Sequence, residues 1–350
     1  MTTAAAAPYT PETALLRVIH CLDRAFDQTP RTKAFIRALT VVRETDAVEL
    51  AIRADENTLA ELDGIGATSA RIITEALAGT TPAYLTKLDA ETQLAMTDGA
   101  AAIRSRLKGD LHSHSTWSDG GASIEAMACA ARDLGHDYFA LTDHSARLTI
   151  AHGLNRERLL AQLDEVAALN EQLAPFRILT GMEVDILEDG KLDLDDDLLA
   201  RLDVVVASVH SKLRMERTPM TERMVLAVAS PHVDVLGHCT GRKLVGEFRA
   251  PVRPPSTFDA DYVFAACAQF HTAVEINSRP ERLDPPAELL ALAMDYGCLF
   301  TISTDAHATG QLEWQPRGCE KAAEAGLDAD RILNTWDVDK VLAWTKQPSS

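Results

Sequence analysis

"DVVVASVH", residues 203–210, is an unbroken apolar run that ends in a histidine. A strand with one wet face alternates polar and apolar residues. This run does not, so it reads as a strand buried on both faces, as in a parallel sheet covered by helices. Other runs share the build: "DLHSHS" (110–115), "YFALTDH" (138–144), "RILTGMEVDI" (177–186), "DVLGHCT" (234–240), "AVEINS" (273–278) and "CLFTISTDAH" (298–307). Helical patterns lie between them at 123–134, 156–173, 221–230, 259–271 and 286–296. Seven such strands alternating with helices predict an α/β fold, a closed or nearly closed (β/α) barrel.

The polar residues gather at one end of each run. The first carries His112 and His114, and the loop after it carries Asp119. The second ends in Asp143 and His144, the third brings Glu183, the fourth His210 and the fifth His238. The sixth brings Glu275 and Asn277, and the seventh ends in Asp305 and His307. The C-terminal ends of barrel strands open onto one face, where active sites form, so these residues are expected to converge. Six of the eleven histidines lie at strand ends. The others, His20, His136, His152, His232 and His271, fall in helices or loops and are assigned no role, and Cys239 reads as a small packed residue.

Neutral imidazoles with carboxylates suit Zn, Mn or Fe, several ions side by side. Adjacent cations need negative charge between them, which Glu183, Asp119 and Asp305 can supply. His112 and His114 are alternate residues and point the same way, so they can share one metal. Asp119, beyond the strand on a glycine-rich loop, can reach a different one. Such a centre activates water near neutral pH and clamps the oxygens of a phosphate ester.

The 350 residues suffice for one large domain and a small one. The formal charge of −18 argues against broad nonspecific binding to nucleic acid or anionic membrane, though it leaves room for a local basic groove. The six cysteines are scattered with no C-x-x-C pair, which fits buried thiols in a reducing cytoplasm. No signal peptide or transmembrane run is expected.

Residues 1–105 read as a helical domain. Thr10 or Pro11 starts a helix with Leu15, Val18, Ile19 and Leu22 on one face. Within "LAELDGIGATSARIITEAL" (59–77), Gly64 and Gly66 separate two short helices. They allow a tight turn and let amides at the next helix approach an anion such as a DNA phosphate. Arg71 is the one cation of this segment. It resembles the helix-hairpin-helix motif of DNA-repair proteins.

"DLHSHSTWSDG", "ALTDHS", "GMEVDI", "ASVHS", "LGHCTGR" and "STDAH" resemble the successive motifs of the PHP (polymerase and histidinol phosphatase) superfamily, over residues 109–345. The resemblance implies a metal-dependent phosphoesterase on a distorted (β/α)7 barrel, preceded here by the small all-α domain. It implies three divalent metal ions. One is held by His112, His114, Glu183 and Asp305. The second shares Glu183 and adds His210 and His238. The third is held by Asp119, His144 and His307. It also implies catalytic roles for Glu183, as bridging ligand, and for Arg242 as phosphate clamp, with Arg279 and Arg282 as weaker candidates.

"EINSRPERLD" and "RILNTWDVDKVLAW" further resemble the PHP domain of bacterial family X DNA polymerases, and the helical domain resembles the one preceding their palm. No palm fits between residue 100 and the first barrel strand, so polymerase activity is not expected. Ile72 stands where lyase-active relatives carry a Schiff-base lysine, so lyase activity is not expected either. The substrate is then a phosphate ester, at DNA ends or abasic sites in repair, with the helical domain contacting DNA. The alternatives are a small-molecule phosphatase of histidinol-phosphatase type and an inactive module that binds DNA or a partner. No membrane partner is expected.

Overall fold

The structure, a computed structural model, describes residues 9–27, 29–245 and 249–346, with side chains for all of these except 245 and 249–252. The chain divides into two compact units, Met1–Gln93 and Leu94–Ser350.

The first unit is helical: α1 (Pro11–Arg24), α2 (Pro30–Glu44), α3 (Ala47–Asp55), α4 (Ala67–Leu77) and α5 (Ala83–Thr92). Thr10 caps α1 through its hydroxyl and Pro11 occupies the first turn, where a missing N–H costs nothing. Leu15, Val18 and Leu22 are fully buried, while Ile19 is half-buried at the edge of the same core. Buried Arg24 ties α1 to α5 through Asp89 Oδ1 at 2.8 Å and Thr92 Oγ1 at 2.6 Å.

Burial pushes the Asp23 carboxyl up to about 7. The folded state therefore binds a proton more tightly than the unfolded chain. The cost of ionising Asp23 is absent near pH 4, grows as pH rises toward 7, and stays in full above it. Asp23→Asn is expected to be neutral near pH 4 and to stabilise by about 1–2 kcal/mol at pH 8. Urea denaturation midpoints at the two pH values check this, and a gain equal at both would refute it.

The second unit opens with α6 (Asp98–Arg104) and contains a seven-stranded parallel sheet. The barrel strands are β1 (Gly109–Asp110), β2 (Tyr138–Leu141), β3 (Arg177–Asp185), β4 (Val204–Ser208), β5 (Val235–Leu236), β6 (Ala273–Asn277) and β7 (Phe300–Ser303), hydrogen-bonded in that order. A bridge between Ser113 and Ala306 joins the first strand region to the last. Asp305 N–H donates to His112 O at 3.0 Å and His114 N–H to Ala306 O at 2.8 Å, so the barrel closes at its ligand-bearing end. A short antiparallel pair, Lys243–Val245 with Arg249–Arg253, lies outside it. The surrounding helices include α7 (Ile124–Asp133), α8 (Arg156–Leu173), α9 (Asp196–Leu199), α10 (Arg217–Val228), α11 (Ala260–Gln269), α12 (Ala287–Asp295), α13 (Gln315–Glu324) and α14 (Val338–Thr345).

The boundary between the units differs from the sequence expectation of 105. Ala100 and Ile103 of α6 join the apolar core of the barrel, and Thr97 Oγ1 donates to Glu320 Oε2 at 2.8 Å. A helical segment does not reveal by periodicity which core its apolar face enters. Every residue of β4 is buried, as the unbroken run "DVVVAS" requires. Among the described residues no helix is long and apolar enough to cross a membrane.

Candidate metal centre

Along β3, side chains alternate between the two faces of the sheet. Met182 and Val184 enter the apolar core under the helices, while Glu183 and Asp185 take the opposite parity. At β5 the residue before His238 is Gly237, where an added Cβ would lie 2.3 Å from Ser208 Oγ. Only glycine lets the two strands approach so closely there. Asp305 follows β7 with φ of +53°, an uncommon conformation for a residue with a side chain. Its amide is fixed by His112 O at 3.0 Å.

The nine expected ligands come together around Glu183. Its Oε1 lies 2.9 Å from His238 Nε2 and 3.2 Å from His210 Nε2. Its Oε2 lies 2.9 Å from His144 Nδ1, 3.3 Å from His112 Nε2 and 3.6 Å from His114 Nε2. Asp119 Oδ1 lies 3.3 Å from His307 Nε2 and 3.5 Å from His144 Nε2. Asp305 Oδ1 is 3.4 Å from His114 Nε2 and 3.6 Å from His307 Nδ1.

Three sets have donor atoms mutually within 4.8 Å: His112, His114 and Glu183; His144, Glu183 and His210; and His114, Asp119, His144 and His307. The first is the expected first set without Asp305. The third is the expected third set with His114 added. In the second, His144 stands where His238 was expected, because His144 Nδ1 lies as close to Glu183 as His238 Nε2 does.

A further layer of buried carboxylates orients these side chains. Glu275 Oε1 is 2.6 Å from His112 Nδ1, and its Oε2 accepts the His238 N–H at 2.7 Å. Asp185 accepts the His210 N–H at 3.1 Å. Asp143 accepts from the Ser115 amide, the Ser115 and Ser118 hydroxyls and Gln162. Asp110 accepts the His112 N–H at 3.1 Å and the Thr304 hydroxyl at 2.6 Å. Glu275 and Asp143 stand at strand ends in the sequence, but no motif there marks a role for them or for Asp185. Their parity with known candidates (Glu275 with Asn277, Asp185 with Glu183) was the available signal.

The electrostatics separate the imidazoles. Burial opposes charge on His112, but Glu275 and Glu183 outweigh it and raise the group well above the usual histidine range. Burial likewise opposes charge on His210, yet Glu183 and Asp185 raise it to about 9. Burial, with His307 and His144 alongside, pushes His114 well below the usual range. Burial and Arg282 bring His238 down to about 4. Burial works against ionising Glu183, and His210, His112 and His144 together overcome it, so the carboxyl lies well below the usual range.

Several buried donor atoms have no hydrogen-bond partner among the described residues: His112 Nε2, both ring nitrogens of His114 and of His210, His144 Nδ1, His238 Nδ1 and Glu183 Oε2. Such an atom costs about 1–3 kcal/mol when left unsatisfied. A cluster of them, all lone-pair donors of the type that binds divalent cations, fits a metal centre.

Arg242 does not present a free guanidinium. Its Nε donates to Arg282 O at 2.8 Å and its Nη2 to Leu283 O. The guanidiniums beside the ligand cluster are those of Arg282, with Nε 3.0 Å from Asp305 Oδ2, and Arg279, with Nη1 2.9 Å from His307 Nδ1. In the helical unit, Gly64 has φ of +95° and buried Ile65 follows it. The Gly66 N–H donates to Ser69 Oγ at 2.9 Å, and Arg71 is exposed, 3.9 Å from Glu75.

Residues 110–279 match the family model described as the PHP domain. The DNA polymerase/3'-5' exonuclease PolX of Bacillus subtilis is 41% identical over 242 residues, covering 69% of this chain and 41% of the polymerase. The chain thus spans about two-fifths of that relative's length. A probable phosphatase of Thermoanaerobacter sp. is 28% identical over 253 residues, covering 68% of this chain and 94% of the phosphatase. A solved structure of histidinol phosphate phosphatase from Lactococcus lactis, complexed with zinc, L-histidinol and phosphate, is 18% identical with a TM-score of 0.41, covering 63% of this chain and 94% of that one. The match over residues 110–279 contains Asp110 of β1, all of β2 to β6 and every expected ligand except Asp305 and His307, and it identifies this part of the chain as a PHP domain.

Proposed function

We propose that this chain is a metal-dependent phosphoesterase, and that its substrate is a phosphate ester at a nucleic acid end or abasic site. The observation that carries the reaction class is the convergence of six imidazoles and three carboxylates, with buried lone-pair atoms lacking partners. Up to three divalent ions, Zn, Mn or Fe, would be held by Glu183 and its neighbours. His112, His114 and Asp305 flank one side, His210 and His238 the second, and Asp119, His144 and His307 the third. When bound, such ions supply the Lewis acidity that lets water attack phosphorus near neutral pH.

The chain's own residues do the rest. Glu183, ionised and fully enclosed, holds negative charge at the centre of the cluster. Asp119 and His307 are its most exposed members, with side chains 35% and 18% exposed, so the ester enters from their side. Arg279 and Arg282, fixed by Asp305, place positive charge beside the transferring phosphoryl group, where it stabilises the transition state. They fit the phosphate-clamp role better than Arg242, whose donors already serve carbonyl groups.

The nucleic-acid reading draws support from the 41% identity to the PolX polymerase/exonuclease and from the glycine turn before α4. A small-molecule phosphatase is the second reading, favoured by the probable phosphatase that this chain covers over 94% of its length. The six free cysteines suit a cytoplasmic setting for either. Hydrolysis of a generic phosphomonoester, histidinol phosphate and 3'-recessed or abasic DNA, compared with Mn2+ or Zn2+ added, separates them. Preference for DNA supports the first reading and preference for histidinol phosphate the second. No hydrolysis of any ester with either metal would remove both.

A further inference from the structure

The chain carries 34 basic and 52 acidic residues, so an open pocket lined by five bases and one acid stands out. The pocket, of about 860 Å3, includes Lys212, Arg214, Arg217, Lys243 and Arg253, with Glu216 its one acid. Lys212 and Arg214 follow β4 just past the ligand His210, and Lys243 follows β5 past the ligand His238. The pocket therefore opens at the C-terminal ends of the barrel strands, the end that bears the metal ligands.

A chain of side-chain contacts links it to them. Lys243 Nζ lies 3.2 Å from Glu281 Oε2, Glu281 Oε1 lies 3.0 Å from Arg279 Nε, and Arg279 Nη1 lies 2.9 Å from His307 Nδ1. Arg217 is paired with Asp259 at 2.9 Å and Arg253 donates to Gly241 O at 2.5 Å. Lys212 and Arg214 are exposed and make no ion pair among the described residues. Two uncommitted cations and three anchored ones thus face one open space. Asp259 and Glu281 offset Arg217 and Lys243, but Lys212, Arg214 and Arg253 have no carboxylate partner among the described residues, and an oxyanion with several acceptor oxygens relieves their mutual repulsion.

None of the described lining residues is aromatic, so the pocket offers no stacking surface for bases. What it recognises is charge on a backbone. We infer that the pocket lined by Lys212, Arg214, Arg217, Lys243 and Arg253 holds a backbone phosphate of a nucleic acid strand whose end lies in the metal centre. This deepens the phosphoesterase reading and rests on it for the position of the strand end. Binding at the pocket can be read without hydrolysis. A single-phosphate ester cannot occupy both places, so the pocket acts on strands and not on monoesters.

The test uses the full chain and the double variant K212Q/R214Q, which alters two exposed side chains. Anisotropy of a labelled short single strand of DNA reads binding. The variant is expected to bind about tenfold more weakly, with a plot of log affinity against log salt shallower by about 1.4, about 0.7 per cation removed from a single strand. The charge-conserving K212R/R214K should recover most of the affinity. In hydrolysis with Mn2+, the ratio of kcat/KM on the oligonucleotide to that on a generic phosphomonoester is expected to fall about tenfold. No DNA binding by the wild type, or equal binding and salt slope in wild type and K212Q/R214Q, overturns the inference. So does an equal loss on both substrates. If the wild type binds DNA through these lysine and arginine side chains but hydrolyses no ester, the pocket stands and the phosphoesterase reading falls.

Discussion

Glu183→Gln is expected to lower phosphate-ester hydrolysis by on the order of a thousandfold or more, with the fold kept. The reason lies in how many imidazoles this one carboxylate serves. Its two oxygens face five histidine nitrogens between 2.9 and 3.6 Å away. A carboxylate can offer negative charge to both sides at once. An amide carries no charge and only one acceptor oxygen, so one side of the cluster would face a nitrogen with the wrong polarity. Cations sharing that space would then repel one another without a screen. Metal content, read by mass spectrometry, should fall together with kcat. Far-UV circular dichroism should not change, because β3 is held by its ladder to β2 and β4 and not by this side chain. Near-wild-type activity or full metal content in the variant would refute the bridging role.

The barrel was legible because each strand combines two signals that seldom coincide. An apolar run buried on both faces marks a parallel strand, and a polar side chain at its C-terminal end marks the open face. Six of the seven runs contain one whole strand, at 138–141 within 138–144 and at 204–208 within 203–210, for example. The first is the exception that explains itself. β1 is only Gly109–Asp110, because the chain leaves the ladder to β2 and closes instead on Ala306. Other features were not legible. Helices α13 and α14 follow the last strand, where no further strand run brackets them in the sequence. The position of α6 depends on which of two cores its Ala100 and Ile103 enter, and periodicity is silent on that. The resemblance points to Arg242 through its motif, while a guanidinium's availability depends on which carbonyls lie near it, and those of Arg282 and Leu283 come from a turn some 40 residues away. The grouping of ligands around His144 depends on rotamers, which no motif specifies.

Glu275→Gln is expected to weaken metal binding about 10–100-fold. The side chain is fully buried. It receives three donors: the ring N–H at His112 Nδ1 at 2.6 Å, the backbone N–H of His238 at 2.7 Å and Asn277 Nδ2 at 3.1 Å. With Nδ1 donating to Glu275, it is Nε2 that His112 turns toward Glu183 and the cluster, the nitrogen that would give up its proton to ligate a metal. A glutamine has one acceptor and must turn its own donor toward either His112 or His238. Whichever it faces is left buried and unpaired, at about 1–3 kcal/mol. The variant therefore either releases the His112 tautomer or distorts the amide that sets the His238 loop. As a positioning residue, Glu275 predicts a particular pattern. The metal concentration for half-maximal activity rises, while kcat at saturating metal recovers much of the wild-type value. A kcat deficit that no metal concentration relieves would mean that Glu275 touches the reacting atoms. An unchanged metal affinity would mean that the amide holds His112 as well as the carboxylate does, and that the charge of Glu275 has no part in the centre.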